Sequence, residues 1–422
     1  MNVLFLTSTF PRWPGDQQAP FVLEQARAWK VRRPGDRLHI LAPHHAGASR
    51  REVLDGIDIR RFRYMPLTQL QTLAYPAIMP NIRERPLRAL QVVPFLIAQY
   101  AAARSLLRQE AIDLVYAHWA MPQGIVALAL SRSLGLPYVL QNHSSDLSVF
   151  TKLGAPGRAL ARRVLRGAEA FFCVNSDQAV FARRLVPELR PNVLPMGVSL
   201  DLDAAAGRGV GKPRFNVGTI ARLSRKKGIH HLIDAAEALA AAGRPTAVGI
   251  AGDGEEAAAL QTRASASSCH FAGFVSGEHK AAFFGECQTM AFPSVEAAGD
   301  VEGLPVALLE ALAAGKPVVA SAATNIRLLP EWTAICDDVE FLEDPADTPA
   351  FAAALSRLIH LTETDASARS DRLRRIMGRY AWDKLIDEYL AVVDAVSAPW
   401  QASIEGRRPS GRTGRSGPRS PS

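Results

Sequence analysis

Two carboxylates eight positions apart and two cations five positions apart are the side chains best suited to chemistry in this chain. Glu302 and Glu310 are separated by GLPVALL. Pro305 suits the first turn of a helix, so the segment reads as helical from about Leu304 onward. At a rise of about 1.5 Å per residue the two carboxylates then lie roughly 12 Å apart. That is too far to hold one atom and is suited to gripping two parts of a long ligand. The open amides at the helix start, near Gly303 and Leu304, would favour a phosphate between them. The cations are Arg222 and Lys227 in ARLSRKKG, with Lys226 beside the second. Two fixed cations there suit a diphosphate, and would stabilise charge growing on a departing phosphate without a metal ion. A plain basic surface turn has the same composition. His118 and His143 each close an apolar run, IDLVYAH and PYVLQNH. As bare residues they fit a structural histidine as well as a chemical one.

These groups need strand ends to hold them. VLFLT, RLHILAP, IDLVYAH, PYVLQNH and AFFCVN are short apolar runs between residues 3 and 175, with helical spacing between them at 21–30 and 124–135. The alternation predicts a doubly wound α/β domain over 1–203. DAAAGRGVGKPR, residues 203–214, has no apolar periodicity and reads as a linker. The alternation then restarts with FNVGTIA, AVGIAGDG, CHFAGFV, TMAFPS and KPVVAS, predicting a second α/β domain over 214–380. Arg222 and Lys227 follow its first strand and the Glu302–Glu310 segment follows a later one. The carboxyl ends of strands are where such folds bind ligands. A helix over 382–396 closes the folded part. Residues 397–422, with five arginines and one glutamate among Gly, Pro and Ser, read as a disordered basic tail.

Composition narrows the classes. With 48% hydrophobic and 21% charged residues, the 422-residue chain has material for large cores and is not a disordered protein. The longest apolar stretch, ALQVVPFLIAQYAAA at 89–103, is interrupted by Pro94 and two glutamines and reads as a buried or interfacial helix rather than a span. MNVLFLTSTF has no basic leader or cleavage site and reads as a first strand, so a cytoplasmic location is expected. Cys173, Cys269, Cys287 and Cys336 form no C-x-x-C pair, which argues against structural zinc and a disulfide scaffold. The net charge is +8, and residues 58–110 carry eight arginines against three acids. That region, with Tyr64, Tyr75, Phe95 and Tyr100, suits an anionic membrane surface or a phosphate-bearing acceptor. A solvated face is the alternative.

Several motifs occur in a fixed order. An Arg and a Lys five apart precede a Gly; GDG follows at 252–254, then F-x-G-x-V at 271–275, P-S with Glu-x7-Glu, and E-A-L-A-x-G-x-P-V-V. Together they resemble glycosyltransferase family 4, of the GT-B fold. The first half agrees: FPRWPGDQQAPFVLEQARAW, YAHWAMPQG, NHSSD and VLPMGVS resemble that family's first loop, its active-site histidine, its H-G-S-D and its domain-crossing segment. The resemblance covers about residues 1–396. It implies two Rossmann-like domains facing across a cleft, the first for the acceptor, the second for the nucleotide sugar, with the C-terminal helix crossing back to the first. It implies retaining, metal-independent transfer of a hexose from a nucleotide-diphosphate sugar to a glycan or lipid-linked acceptor, with no cofactor and no nucleic-acid partner.

Residue by residue, the resemblance places Arg222 and Lys227 on the diphosphate, Glu310 on the ribose and Glu302 on the transferred sugar. His118 falls beside the anomeric centre, and Gly15, Gly252, Phe274, Val275, Gly303 and Leu304 around the donor. His143 and Asp146 fall in the acceptor region. Cell-surface polysaccharide assembly is the expected setting, on the inner face of the membrane. Met196 and Ser199 stand where the family usually has Asn and Asp, Ser144 where it has Gly, and TNIRLLPEW lacks that loop's glycines. The alternatives are a nucleotide-sugar epimerase of the same fold and a non-catalytic sugar-binding module. A phosphorylase would require a cofactor-bearing lysine and a longer chain.

Overall fold

A computed structural model describes residues 1–16, 20–143, 146–200, 202–205, 212–264, 269–296, 303–364 and 366–405. The first domain is built on β1 (Asn2–Leu6), β2 (Arg37–Pro43), β3 (Arg51–Leu54), β4 (Ile57–Phe62), β5 (Leu114–His118), β6 (Tyr138–Asn142), β7 (Ala170–Cys173) and β8 (Pro191–Val193). Their order in the sheet is β3-β4-β2-β1-β5-β6-β7-β8. All neighbours pair in parallel except β3 with β4. The second domain contains β9 (Phe215–Ile220), β10 (Val248–Ala251), β11 (Cys269–Gly273), β12 (Cys287–Phe292), β13 (Val318–Ser321) and β14 (Val339–Leu342), in the order β11-β10-β9-β12-β13-β14, all parallel.

Helices cover both faces of both sheets, which is why the central strands are apolar throughout instead of alternating. Val3, Leu4, Phe5 and Leu6 are all fully buried. In each sheet the chain reverses its direction of growth beside the first strand, between β1 and β5 and between β9 and β12. Crevices at the carboxyl ends of the strands form at those two points.

The outer face of each sheet has its own apolar core. A third core runs without a break from Phe5 and Trp29 in the first domain to Phe284 and Leu308 in the second, through Trp382 and Tyr389 of the closing helix. That helix, Trp382–Glu405, continues past Val396, where the sequence predicts an end; the rest of the expected tail, from residue 406, lies outside the described residues. It packs on the Pro20–Arg32 helix, where Arg32 pairs with Asp387 at 2.6 Å and Arg33 with Asp394. The Tyr389 hydroxyl donates to the Pro195 carbonyl and receives a hydrogen bond from Gln141 Nε2 at 3.1 Å.

Two other expectations change. Residues 203–205, the start of the expected linker, lie in a short helix, Leu202–Ala205, packed on the Gly277–Glu286 helix; residues 206–211 lie outside the described residues. The stretch around Pro94 is a helix, as the sequence suggests, but the apolar segment is longer than expected. A 3-10 turn (Pro86–Gln91) leads into the helix Val92–Leu107, and together they are long and apolar enough to cross a membrane by length and composition alone. Pro94 falls in the first turn of that helix, where the missing N–H has no partner to lose. The inner side is seated on the first domain through Phe95, Gln99, Ala103 and Leu106, and Gln99 Nε2 donates to the Thr7 carbonyl at 3.1 Å.

Candidate active site

The cation loop is fixed by two glycines. Lys227 ends a 3-10 turn, Arg225–Lys227, and Gly228 follows with φ of 64°. A Cβ there would lie 1.9 Å from the Pro293 carbonyl oxygen, so only glycine lets the loop rest on the end of β12. The Val295 amide also donates to the Lys226 carbonyl at 2.8 Å. Gly252, with φ of 133°, would place a Cβ 1.8 Å from the Ala221 carbonyl oxygen. Its amide donates to the Gly273 carbonyl at 2.7 Å, so the GDG turn is locked between Arg222's neighbour and the F-x-G-x-V segment. Arg222 pairs with Glu255 at 3.0 Å, both side chains about half exposed. Such an exposed pair contributes about 0–1 kcal/mol. A diphosphate would displace it readily.

Glu310 lies on the helix Val306–Ala313 and is almost fully buried. Its Oε1 accepts from Lys280 Nζ at 2.5 Å, while its Oε2 has no partner among the described residues. Burial pushes its carboxyl up and the Lys280 ammonium opposes that rise. Across the cleft, Glu24 of the Pro20–Arg32 helix is pushed up to about 7 by burial and by the charge of Glu310. Lys280, the Ser199 hydroxyl and Arg27 moderate the shift.

The two histidines stack at 5.3 Å between ring centres, 12° from parallel, with His118 Nδ1 3.0 Å from His143 Nε2. His118 is fully buried against Phe5 and Tyr116, and His143 lies under Phe21 and Trp119. Burial holds His143 down to about 3 and His118 well below the ordinary range, so both rings are neutral at pH 7. His118 Nε2 and His143 Nδ1 have no hydrogen-bond partner among the described residues. The buried Asp146 ties the loops after β5 and β6 together: it accepts from the Ala120 amide at 2.6 Å and the His143 amide at 3.2 Å.

Gly303 is a junction between the domains. Its carbonyl accepts from Asn175 Nδ2 of the first domain at 2.9 Å and from Asn325 Nδ2 of the second at 3.0 Å. A Cβ at Gly303 would lie 2.6 Å from the His143 carbonyl oxygen. Leu304 packs onto the shared core beside it.

Between the two crevices lies a cleft of about 880 Å³. Of the residues expected to form the site, it brings together Gly15, Arg222, Gly252, Phe274, Val275 and Glu310. Lys227, His118, His143, Asp146, Gly303 and Leu304 lie beyond its lining. Glu302 lies outside the described residues. Sequence reasoning missed Glu24, Lys280 and Asn175, and noted Ser199 only as a departure from the family pattern. Only Glu24 left a trace, as an acid among the apolar residues of FVLEQA.

Comparison with known proteins agrees with this architecture. Residues 20–202 match the family model described as Glycosyltransferase Family 4, and residues 214–360 match Glycosyl transferases group 1. The putative teichuronic acid biosynthesis glycosyltransferase TuaC of Bacillus subtilis is 27% identical over 59% of this chain and 61% of its own length. The chain thus spans about three fifths of that relative. The amylovoran biosynthesis glycosyltransferase AmsK of Erwinia amylovora is 32% identical over 41% of this chain and 42% of its own. Among solved structures, an E. coli protein titled as trehalose-6-phosphate bound with UDP-2-fluoro glucose superposes with a TM-score of 0.67 at 12% identity, over 94% of this chain and 99% of that one. With matching models across both domains and the GT-B arrangement of its sheets, the chain belongs to glycosyltransferase family 4.

Proposed function

We propose that this chain is a retaining, metal-independent glycosyltransferase that moves a hexosyl unit from a nucleotide-diphosphate sugar to a hydroxyl of a glycan or lipid-linked acceptor in cell-surface polysaccharide assembly. The observation that carries this reading is the cleft itself, which sets Arg222, Gly252 and Glu310 of the second domain opposite Gly15 and Glu24 of the first. The names of the B. subtilis and E. amylovora relatives support the polysaccharide setting.

In this reading Glu310 Oε2 accepts from the ribose hydroxyls, while Lys280 holds the other oxygen and favours the ionised form. Arg222 exchanges Glu255 for the diphosphate, and Lys227 draws on the same charge. The diphosphate leaves on the face where the acceptor hydroxyl arrives, so the configuration at the anomeric carbon is retained. Negative charge grows on the leaving oxygen, and cations already aimed at it are the largest contribution to lowering such a barrier. Glu302 contacts the transferred sugar. His118 forms the neutral floor beneath it, with Nε2 as the nitrogen left without a partner among the described residues.

The acceptor side favours a membrane. The turn and helix over Pro86–Leu107 leave Leu87, Leu90, Val93 and Ile97 between 61% and 80% exposed, and Arg83, Arg85, Arg104 and Arg108 are exposed nearby. An apolar row edged by arginines suits the headgroup region of an anionic leaflet. Tyr75, close in sequence to this face, donates its hydroxyl to the Phe10 carbonyl at the cleft rim at 3.0 Å. A lipid-linked acceptor held in the leaflet would thus meet the cleft from the first domain.

The test is turnover with UDP-, GDP- and ADP-sugars in the presence of EDTA, with product configuration read by NMR. One donor class should be used, the anomeric configuration kept, and Lys227→Ala should lower turnover about 100- to 1000-fold with an unchanged melting temperature. Wild-type activity in that stable variant, or an inverted product, contradicts the assignment.

A further inference from the structure

On its first-domain side the cleft is also lined by Trp13, Glu52 and Leu54. Trp13 is 43% exposed, a large apolar surface to leave open at a rim. It is also held in place. The Arg12 guanidinium lies 4.2 Å from the indole centre and 5.3 Å from the ring of Tyr75. Asp16 fixes that guanidinium through two hydrogen bonds, to Nε at 2.7 Å and Nη2 at 2.9 Å. His45 meets both aromatic rings edge-on, 6.1 Å from Trp13 and 5.3 Å from Tyr75.

Glu52 is held by a second arginine. Arg61 is buried, with a side chain only 1% exposed, and pairs with Glu52 at 2.7 Å. Its Nη2 also donates to the Pro11 carbonyl at 2.7 Å, and its Nη1 to the Ser49 carbonyl at 2.8 Å. One buried cation therefore sets the distance between the loop bearing Trp13 and the strand bearing Glu52. Neither feature serves the folded core, since Trp13 and Glu52 both reach into the open cleft. A rigid aromatic face beside an oriented carboxylate is the pairing that recognises a sugar ring. The C–H face of the ring lies on the indole, and the carboxylate accepts from hydroxyls at its edge.

We propose that Trp13 and Glu52 form the binding site for a saccharide ring of the acceptor, with Arg12 and Arg61 as its positioning residues. The proposal rests on the reading that this cleft performs glycosyl transfer, and deepens it: the ligand is a glycan, gripped by its ring before any lipid portion is engaged. Arg12 covers part of the indole and also confines the ring to a single orientation. Substitutions at Trp13 should therefore weaken acceptor recognition far more than nucleotide binding, which rests mainly on Arg222 and Glu310 of the second domain.

Saturation-transfer NMR with octyl β-glucoside, octyl β-galactoside and octyl α-mannoside as probes, below their micellar concentrations, reads this site without requiring turnover. At least one glycoside should give ring-proton signals with the full chain. Those signals should fall at least tenfold in Trp13→Ala and in Glu52→Gln and partly return in Trp13→Phe, with melting temperature unchanged in each. Equal signals in wild type and Trp13→Ala, or no ring-proton signal for any glycoside with wild type, overturn the proposal. Transfer to the octyl chain alone also overturns it, since that reports apolar contact and not a sugar site. Nucleotide binding measured on the same samples separates the two claims: its absence counts against the donor reading, whatever the glycosides show.

Discussion

At Glu24 the cleft changes the chemistry of an ordinary side chain. Its carboxyl rises from 4.5 to about 7 because it is buried and faces Glu310; Lys280, Ser199 and Arg27 offset only part of this. Between those two values the folded protein holds a proton that the unfolded chain has released. Stability therefore falls as pH rises from about 4.5 to 7 and levels off above, by the linkage between proton binding and folding. Glu24→Gln removes the effect. The variant should melt several degrees above wild type at pH 8 and match it near pH 4, as calorimetry would show. A wild-type advantage at pH 8 would mean that the carboxylate is stabilised there. The ionised form also places a second negative charge beside the donor site, so the wild-type KM for the nucleotide sugar should climb above pH 7 while that of Glu24→Gln stays level.

The elements explain what the sequence disclosed and what it withheld. The parallel strands were legible because a sheet covered on both faces needs apolar runs such as NVLFL and LVYAH. The cation loop was legible through its spacing, Arg222 and Lys227 before Gly228, whereas the contacts that demand its glycines, Gly228 against Pro293 and Gly252 against Ala221, lie far along the chain. Glu310 was legible only through its motif. The pairing of Glu310 with Lys280, 30 positions away, and the joining of Asn175 to Gly303 across the domains depend on tertiary packing that leaves no local pattern. The helix over Val92–Leu107 was legible as a helix but not in its length, since Pro94 sits in the first turn, where a proline does not break a helix. Its exposed row gives the test at this scale. Leu90→Asp with Val93→Asp adds two charges to a surface that is already solvated, so the fold should be unaffected. Co-sedimentation with anionic vesicles at low salt should be lost. Retained binding would place the membrane contact elsewhere.

At the scale of the whole molecule, the two domains are not loosely tethered lobes. The closing helix pairs with the Pro20–Arg32 helix through Arg32 and Arg33, and one apolar core runs through the junction. The donor site therefore draws on both domains, and nucleotide binding should stabilise the chain as a unit. A ligand at 100 times its Kd adds about 2.7 kcal/mol to the folded state, a shift that melting experiments resolve. The most direct measurement is titration of UDP, GDP and ADP into the wild-type chain and Glu310→Gln, with EDTA present throughout. The account predicts that one of the three binds the wild type without metal and binds Glu310→Gln at least tenfold more weakly. Binding of none of them, binding only after a divalent ion is restored, or equal affinity for both proteins would contradict it.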